Sequence, residues 1–226
     1  MQELYNKIIQ HTNSLSTVCV ACSGGVDSMF LTRICSEIIQ NKKIFAIIIN
    51  HNLQESSKKV ANDTLKTVNS WGVNGIVLEW LHGSISGSLE ELARNARYSL
   101  ITEFCIKNNI KSVMLAHHID DKIETFLMNA MRGTGLKGLT SMQEFSEING
   151  VQFFRPMVGC IEKSQIIEFM IQYQIPWFED WTNQDTKFTR NNIRHSFEFT
   201  TQQKTGILKT IQNLDIELIE KKKTFP

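Results

Sequence analysis

The chain has 226 residues, which is enough for one α/β domain with a buried core and a small appendage but too few for several domains. Hydrophobic residues make up 42% and charged residues 21%, a composition that is typical of globular proteins and excludes a mainly disordered chain. The net charge of +1 excludes a broad basic surface for nucleic acid, so any nucleic-acid site must be local.

The first predicted unit is a strand, a glycine turn and a helix. Residues 18–21 are short and apolar, which predicts a buried strand, and apolar residues recur at helical spacing over residues 28–40. Between them lies the sequence SGGVDS, residues 23–28. Two glycines let the backbone approach a ligand closely, and the N-terminus of a helix favours an anion. The alternative is a tight structural turn in which Ser23 or Asp27 caps the helix.

Further strands and helices alternate along the next hundred residues. Strands are predicted at residues 44–50, 76–80 and 112–116, and helices at residues 56–71, 89–108 and 121–131. This alternation predicts an α/β fold of Rossmann type, a parallel sheet with helices on both faces. Ligands bind beyond the carboxyl ends of such strands, where the glycine turn, Asn50-His51 and His117-His118 should converge.

The pattern changes after Gly133. A flexible basic turn is predicted around Gly135 and Gly138, followed by an apolar segment at residues 151–155 and a helix near residues 162–173. A polar stretch covers residues 180–194, and a last amphipathic helix includes residues 207–218. We therefore predict a main domain over residues 1–195 and a short helical C-terminal extension over residues 196–226.

A cluster of histidines and acids begins the helix after the fourth predicted strand. Two adjacent histidines, His117 and His118, precede Asp120, Asp121 and Glu124. Acids in a first helical turn can simply complement the helix dipole and cap free N–H groups. Beside a bound nucleotide, however, such carboxylates would hold a metal ion or take a proton from an amine, and a histidine would neutralise developing charge. We favour the second interpretation.

Basic residues form three further candidate sets. Arg94 and Arg97 lie three apart on one predicted helix, where a plain amphipathic surface helix is an equal alternative. Arg132 and Lys137 belong to the glycine-containing turn, and its alternative is a helix C-cap followed by a mobile connection. The polar stretch contains two arginines, Arg190 and Arg194. Because arginine binds phosphate in a bidentate manner, they indicate a lid or a nucleotide-facing loop.

The five cysteines lack the spacing of a disulfide framework and favour a reducing compartment. Cys19 and Cys22 have C-x-x-C spacing, but residues three apart on a strand point to opposite faces, so we interpret both as core residues. The first ten residues contain no apolar signal segment. We expect a cytoplasmic protein that does not bind a membrane.

Taken together, these motifs resemble the tRNA(Ile)-lysidine synthase family of the ATP pyrophosphatase, or PP-loop, superfamily, across nearly all of residues 18–195. The SGGxDS loop alone is similar to the whole superfamily. The later motifs, in this order, are specific to the lysidine branch: Asn-His at residues 50–51, the helix at 93–98, His-x-Asp-Asp-x-x-Glu-Thr at 118–125, the glycine turn at 132–139 and the polar stretch at 180–194.

The resemblance implies a two-step ligase reaction. ATP with Mg²⁺ adenylates C2 of the wobble cytidine of the isoleucine tRNA that has a CAU anticodon, and free L-lysine then displaces AMP. The implied ATP-binding residues are Ser23, Gly24, Gly25, Val26, Asp27, Ser28, Asn50 and His51, with Asp27 also placing the metal. The implied catalytic residues are Asp27, His117, His118, Asp120, Asp121, Glu124, Arg190 and Arg194. The residues implied to contact tRNA or lysine are Arg94, Arg97, Arg132 and Lys137.

Two alternatives remain open at the level of sequence. One is another superfamily enzyme, a tRNA thiolase or an amidating synthetase, although thiolases of that kind normally carry paired cysteines and Cys35, Cys105 and Cys160 stand alone. The other is a shortened ATP-binding module that does not modify tRNA. A homodimer is a further expectation that the sequence leaves open.

Overall fold

The structure, a computed structural model, describes residues 1–39, 42–83, 87–178 and 199–224. In these residues a single sheet contains β1 (Thr17–Ala21), β2 (Lys43–Asn50), β3 (Asn74–Glu79), β4 (Ser112–Met114), β5 (Phe145–Ile148) and β6 (Val151–Phe154). The strand order is β3-β2-β1-β4-β6-β5, and every neighbouring pair is parallel except the antiparallel pair β5 and β6. The predicted parallel α/β sheet is therefore confirmed.

The helices cover both faces of this sheet. They are α1 (Gln2–Thr12), α2 (Val26–Ile38), α3 (Glu55–Ser70), α4 (Leu89–Lys107), α5 (Ile119–Met131), α6 (Leu136–Leu139), α7 (Lys163–Gln172) and α8 (Thr201–Thr224). None of the helices in the described part of the chain is long and apolar enough to cross a membrane.

Two separate layers of buried side chains lie on either side of the sheet. Residues from α1, α2, α3 and α7, such as Phe30 and Ile166, pack with Val20 on one face. On the other face α4 packs Ile101 against Phe153. The two cysteines with C-x-x-C spacing lie in different layers, Cys19 with α4 and Cys22 with α2, which confirms that they are core residues.

Three elements were not predicted: α1, β5 and the short helix α6. Helix α1 buries Leu4 and Ile8, which share one helical face and pack in the first core layer. Strand β5 joins β6 through Asn149-Gly150, whose φ angles of 50° and 80° are those of a tight hairpin turn. The Asn-Gly pair was the available sequence signal for this hairpin.

The glycine-containing turn predicted over residues 132–139 includes a short helix that was not predicted. Gly133, with a φ of 66°, ends α5 as a C-cap glycine, and the chain then forms α6. The side chain of Asn129 donates to the carbonyl of Gly138 at 2.8 Å, which ties the turn back to α5. A Cβ at Gly138 would lie 2.6 Å from Thr134 Oγ1, so glycine is needed there for packing rather than for flexibility.

Candidate functional site

The glycine bend, residues 23–28, joins the carboxyl end of β1 to α2. Gly24 has a φ of 88°, and a Cβ there would lie 2.3 Å from Thr64 Oγ1 of α3, so only glycine fits. Ser28 donates its hydroxyl to the Gly25 carbonyl at 2.9 Å and accepts from the Ser23 N–H at 3.1 Å. These contacts fix the bend independently of any ligand.

The N-terminus of α2 lies in the glycine bend. Its N-cap residue is Gly25, and no capping hydrogen bond from a side chain is seen there among the described residues. Gly25, rather than Ser23 or Asp27, is therefore the N-cap residue of α2. The first N–H groups of a helix have no partner within the helix and carry the positive end of its dipole. A phosphate group fits this position.

The acidic helix start, residues 118–124, lies across from the bend. His118 Nε2 is 3.7 Å from Asp27 Oδ1 and 3.4 Å from Asp121 Oδ2, and the His118 side chain is 1% exposed. Asp121 Oδ2 also accepts the backbone N–H of His118 at 3.0 Å, so it caps α5. The carboxylate of Glu124 is buried one turn further along. The structure thus places β1–α2 and β4–α5 residues in one cluster, as their strand-end positions predicted.

Two lysines that the sequence did not single out complete this cluster. Lys163, the first residue of α7, donates Nζ to both carboxylate oxygens of Asp27, at 2.6 and 2.8 Å. Its backbone N–H donates to Asp120 Oδ2 at 2.8 Å. Lys204 of α8 donates Nζ to Asp120 Oδ1 at 2.6 Å and to Glu162 Oε2 at 2.7 Å. Asp120 therefore joins α5, α7 and α8.

Burial and these partners move the pKa values of the cluster. Burial alone would lower the pKa of His118, but Asp121, Asp120 and Asp27 outweigh it and hold that pKa above its ordinary value. Burial alone would raise the pKa of Asp120, but the His118 ring, whose Nδ1 lies 3.3 Å from Oδ2, and hydrogen bonds from Lys204 and the Lys163 backbone hold it well below the ordinary range. Asp120 is therefore an anion at neutral pH, and the surrounding carboxylates favour the protonated form of His118.

The end of β2 adds a third strand end to this edge of the sheet. Asn50 is buried, and its side chain accepts the N–H of Asn52 at 3.1 Å and donates to the Asn52 side chain at 2.8 Å. The carbonyl oxygen of His51 lies 3.1 Å from His82 Nε2. The imidazole ring of His51 packs edge-on against the ring of Trp80, with 5.9 Å between the ring centroids. Asn50 thus shapes the turn that carries His51.

The α4 groove is a cavity of about 610 Å³ between α4 and the β5–β6 hairpin. Arg94 lies in it, with its guanidinium 5.1 Å above the ring of Tyr98, and Arg155 lines the facing side. Arg155 donates to the Gln143 carbonyl at 3.1 Å and to Ser146 at 2.9 Å, so its guanidinium is held in place. Arg97 is exposed on the same helix.

Arg132 and Lys137 are exposed, and they lie away from the cluster. Arg132 follows the last residue of the 13-residue helix α5, which places it roughly 20 Å along the helix axis from its start. Lys137 lies in α6 beyond it. The structure does not bring these two residues together with the bend.

Arg190 and Arg194 lie outside the described residues. The described chain on both sides of residues 179–198 reaches the cluster. On one side Phe178 donates its N–H to the Gly24 carbonyl at 2.9 Å. On the other side Lys204 contacts Asp120.

The bend and the cluster suit a polyphosphate whose oxygens supply most of the ligands of a bound metal ion. Within the described residues, no group of three or more His, Cys, Asp or Glu side chains is arranged to hold a metal ion alone. Mg²⁺ commonly takes one or two protein carboxylates together with phosphate oxygens and waters. Asp27, 30% exposed beside the open end of α2, suits the role of one carboxylate ligand, although both its oxygens contact Lys163.

Three residues of the cluster were not predicted from the sequence: Glu162, Lys163 and Lys204. Glu162 and Lys163 begin a predicted helix, but nothing in the sequence indicates which strand end that helix approaches. Lys204 lies on the polar side of an amphipathic helix among other polar residues. Their roles depend on contacts between residues 42 to 136 positions apart, for which a single sequence carries no signal.

Comparison with known proteins identifies relatives of this chain. The chain is 35% identical over 190 residues to a tRNA(Ile)-lysidine synthase of Wolbachia pipientis wMel, a match that covers 82% of this chain and 44% of that protein. It is 34% identical over 200 residues to the tRNA(Ile)-lysidine synthase of Rickettsia africae, covering 84% of this chain and 41% of that protein. The chain therefore spans less than half the length of these curated relatives.

Two solved structures have a similar fold. The U34-tRNA thiolase NcsA from Methanococcus maripaludis superposes with a TM-score of 0.73 at 14% identity, covering 94% of this chain and 78% of that chain. An NH3-dependent NAD synthetase from Campylobacter jejuni superposes with a TM-score of 0.52 at 16% identity, covering 95% and 93%. At these identities the likeness concerns the fold alone. The PP-loop domain family matches residues 1–198 of the chain, and the chain therefore belongs to that family.

Proposed function

We propose that this chain is an ATP-dependent ligase that joins L-lysine to C2 of the wobble cytidine of the isoleucine tRNA with a CAU anticodon. The product is lysidine, formed through an adenylated tRNA, and AMP and pyrophosphate are released. Family membership and the names of the curated relatives support this reaction. The observation that carries the proposal is the approach of His118 to Asp27, since it unites a phosphate-binding bend with an acidic cluster.

In this proposal the glycine bend binds the ATP phosphates. The open N-terminus of α2 and the backbone around Gly25 attract the anion, and Ser28 holds the bend in shape. Asp27 serves as a carboxylate ligand of Mg²⁺, which when bound neutralises charge on the leaving pyrophosphate. Asn50 and His51 form the neighbouring wall at the end of β2.

His118 stabilises the adenylation step. A cationic imidazole beside Asp27 offsets the negative charge that develops when the cytidine oxygen attacks the α-phosphorus. Its charge is favoured by three surrounding carboxylates, which hold its pKa up. His117 precedes it in the chain and completes the histidine pair.

Asp121 and Glu124 act on the lysine amine. A protonated amine is not a nucleophile, so a carboxylate must orient it and accept a proton before it attacks C2. Asp121 caps α5 through Oδ2 and is thus held at one orientation beside His118. Asp120 is a positioning residue, because its oxygens already accept from Lys163 and Lys204.

Arginines and lysines on the surface bind the tRNA in this proposal. Arg94 stacks on Tyr98 in the α4 groove, an arrangement that suits an unstacked nucleotide. Arg97, Arg132 and Lys137 supply exposed charges for the RNA backbone. Arg190 and Arg194 contact the phosphates or the adenylated intermediate, a role supported by the attachment of both flanks of their segment to the cluster.

We further propose the arrangement of the whole protein. Residues 1–195 form the catalytic domain, and residues 196–226 form a helical extension that packs against it through Lys204 and Asp215. The protein acts in the cytoplasm, where its tRNA substrate is found, and associates as a homodimer.

The decisive experiment is mass-spectrometric detection of lysidine. The chain is incubated with ATP, Mg²⁺, lysine and the cognate tRNA transcript, and the digested RNA is analysed for the lysine adduct of cytidine. Reactions without lysine, without ATP or with a methionine tRNA serve as controls. We expect lysidine only in the complete reaction. Failure to form it, while the chain binds ATP but does not shift the tRNA in a gel at low salt, would indicate an ATP-binding module instead.

A further inference from the structure

Lys163 is the cation closest to the glycine bend among the contacts of the described residues. Its Nζ lies 2.6 and 2.8 Å from the two oxygens of Asp27, the second residue of α2. The proposed reaction leaves this lysine without a role, and the bend itself contains no lysine.

The backbone of Lys163 is anchored, whereas its side chain is partly exposed among the described residues. Its N–H donates to Asp120 Oδ2, which anchors the first residue of α7 against the acidic helix start. The side chain, by contrast, is 33% exposed and its partner Asp27 is 30% exposed. An ion pair as exposed as this one contributes little to the stability of the fold. Stabilising the fold is therefore a weak explanation for the two close contacts between Lys163 and Asp27.

The charge balance at the bend calls for a mobile cation. A triphosphate that binds at the start of α2 brings several negative charges next to the Asp27 carboxylate. Mg²⁺ held by Asp27 must take at least one oxygen that Lys163 now contacts. The displaced ammonium then lies beside the phosphates, which are strong acceptors for a charged donor.

We propose that Lys163 binds the β- and γ-phosphates of the nucleotide and, in the free protein, holds Asp27 in place of the metal. The inference rests on the proposed function only in taking ATP as the ligand. Lys163 thus supplies from α7 the phosphate-binding charge that the glycine bend lacks. The AMP portion of the nucleotide does not contact it.

Calorimetric binding of three ligands to the full chain tests this inference without any chemical turnover. The ligands are pyrophosphate, AMP and α,β-methylene-ATP, each with Mg²⁺, and the variants are Lys163→Met and Lys163→Arg. We expect Lys163→Met to weaken the binding of pyrophosphate and of the ATP analogue by about tenfold or more. AMP binding should change less than threefold, and Lys163→Arg should recover part of the loss because it retains the charge.

A matched control is Lys7→Met. Lys7 also forms a 2.8 Å ion pair, with Glu144, but its pair joins α1 to the chain before β5 and includes no residue of the bend. It should leave all three affinities unchanged. Thermal unfolding of each variant checks that the fold persists.

The possible results separate this inference from the proposed function. Pyrophosphate binding by Lys163→Met that is within threefold of the original chain, or tighter, overturns the role of Lys163, as does an equal loss of AMP binding. If the original chain binds neither pyrophosphate nor the ATP analogue, both proposals fail. If it binds both but forms no lysidine, only the ligase reaction is lost, and the effect of Lys163→Met still decides this inference.

Discussion

The glycine bend and the acidic helix start face each other, but different kinds of contact hold them. The shape of the bend comes mainly from neighbours in sequence, because Ser28 bonds to Gly25 and Ser23, although Gly24 also packs on Thr64 and accepts the N–H of Phe178. The acidic helix start depends on charges from three helices, because Asp120 is held by Lys163 and Lys204. A local motif and a tertiary charge cluster thus meet at one site.

This difference has a consequence for how each region responds to change. The bend depends on backbone conformation, so a single methyl group in the wrong place should disturb it and salt or pH should not. The acidic helix start depends on charge, so it should respond to pH and to the loss of one lysine. The following predictions test this contrast, from the largest expected effect to the smallest.

Asp27 belongs to both regions, and its substitution should have the largest effect. We expect Asp27→Asn to lower tRNA-dependent pyrophosphate release about 1000-fold, because the amide loses the charge that binds Mg²⁺ and pairs with His118 and Lys163. The free energy of unfolding should change by only about 1 kcal/mol or less, since the ion pair is partly exposed. Activity within tenfold of the original would contradict the proposed metal role.

The two glycines of the bend should differ in their effect on stability. Gly24→Ala places a Cβ 2.3 Å from Thr64 Oγ1 at a φ of 88°, and we expect it to lower the free energy of unfolding by about 2–3 kcal/mol. Gly25→Ala is the matched control, because its φ is −67° and the nearest atom to an added Cβ is Ser23 Oγ at 3.6 Å. It should cost about 1 kcal/mol or less, as at other N-cap positions. Urea unfolding measures both, and equal losses would show that the conformation of Gly24 is not required.

Lys204 connects α8 to the acidic helix start. Lys204→Met leaves Asp120 and Glu162 with one cation fewer, and we expect a loss of about 1 kcal/mol in the free energy of unfolding at pH 7. Lys209→Met, on an exposed position of the same helix, is the control and should have no measurable effect. Equal stability of the two variants would mean that the Lys204 contacts do not hold α8.

Lowering the pH should remove the contribution of the Asp120 charge to the free energy of unfolding. The pKa of Asp120 is lower in the folded chain than in the unfolded chain, where it is near 3.8, so the unfolded state binds a proton first as the pH falls. The stabilisation from Asp120 is therefore complete above that range and is lost as the pH falls through 3.8 and below. We expect the stability of Asp120→Asn to fall less steeply over this interval than that of the original chain, and parallel pH profiles would rule out the charge contribution.

His118, which is buried, and His11, which is half-buried, provide the smallest and most direct test. The pKa of His118 is raised above 6.5 by the surrounding carboxylates, whereas burial lowers the pKa of His11, which Glu144 offsets only in part. An NMR titration of the ring protons should show the His118 midpoint above 6.5 and the His11 midpoint below it. The reverse order would mean that the cluster around His118 is not charged as described.

Much of the fold could be predicted because it repeats a local pattern. Short apolar runs indicated β1 to β4 and apolar residues at helical spacing indicated α2 to α5 to within a few residues, and alternation of the two implied a parallel sheet. Outside that alternation α7 and α8 were also predicted, whereas α1, β5 and α6 were missed. Glycines at residues 133–138 suggested flexibility, but the close approach of Gly138 to Thr134 is a packing requirement that only coordinates reveal.

The candidate site divides in the same way. By itself, the sequence determined the glycine bend, the acid pattern at residues 118–124 and their positions at strand ends, because each follows from residues that are close in the chain. Only the tertiary structure decided which charges meet there: Lys163 with Asp27, and Lys204 with Asp120. The physical reason is that an ion pair between distant helices depends on how those helices pack against the sheet. The sequence around one partner does not indicate which residue it will contact.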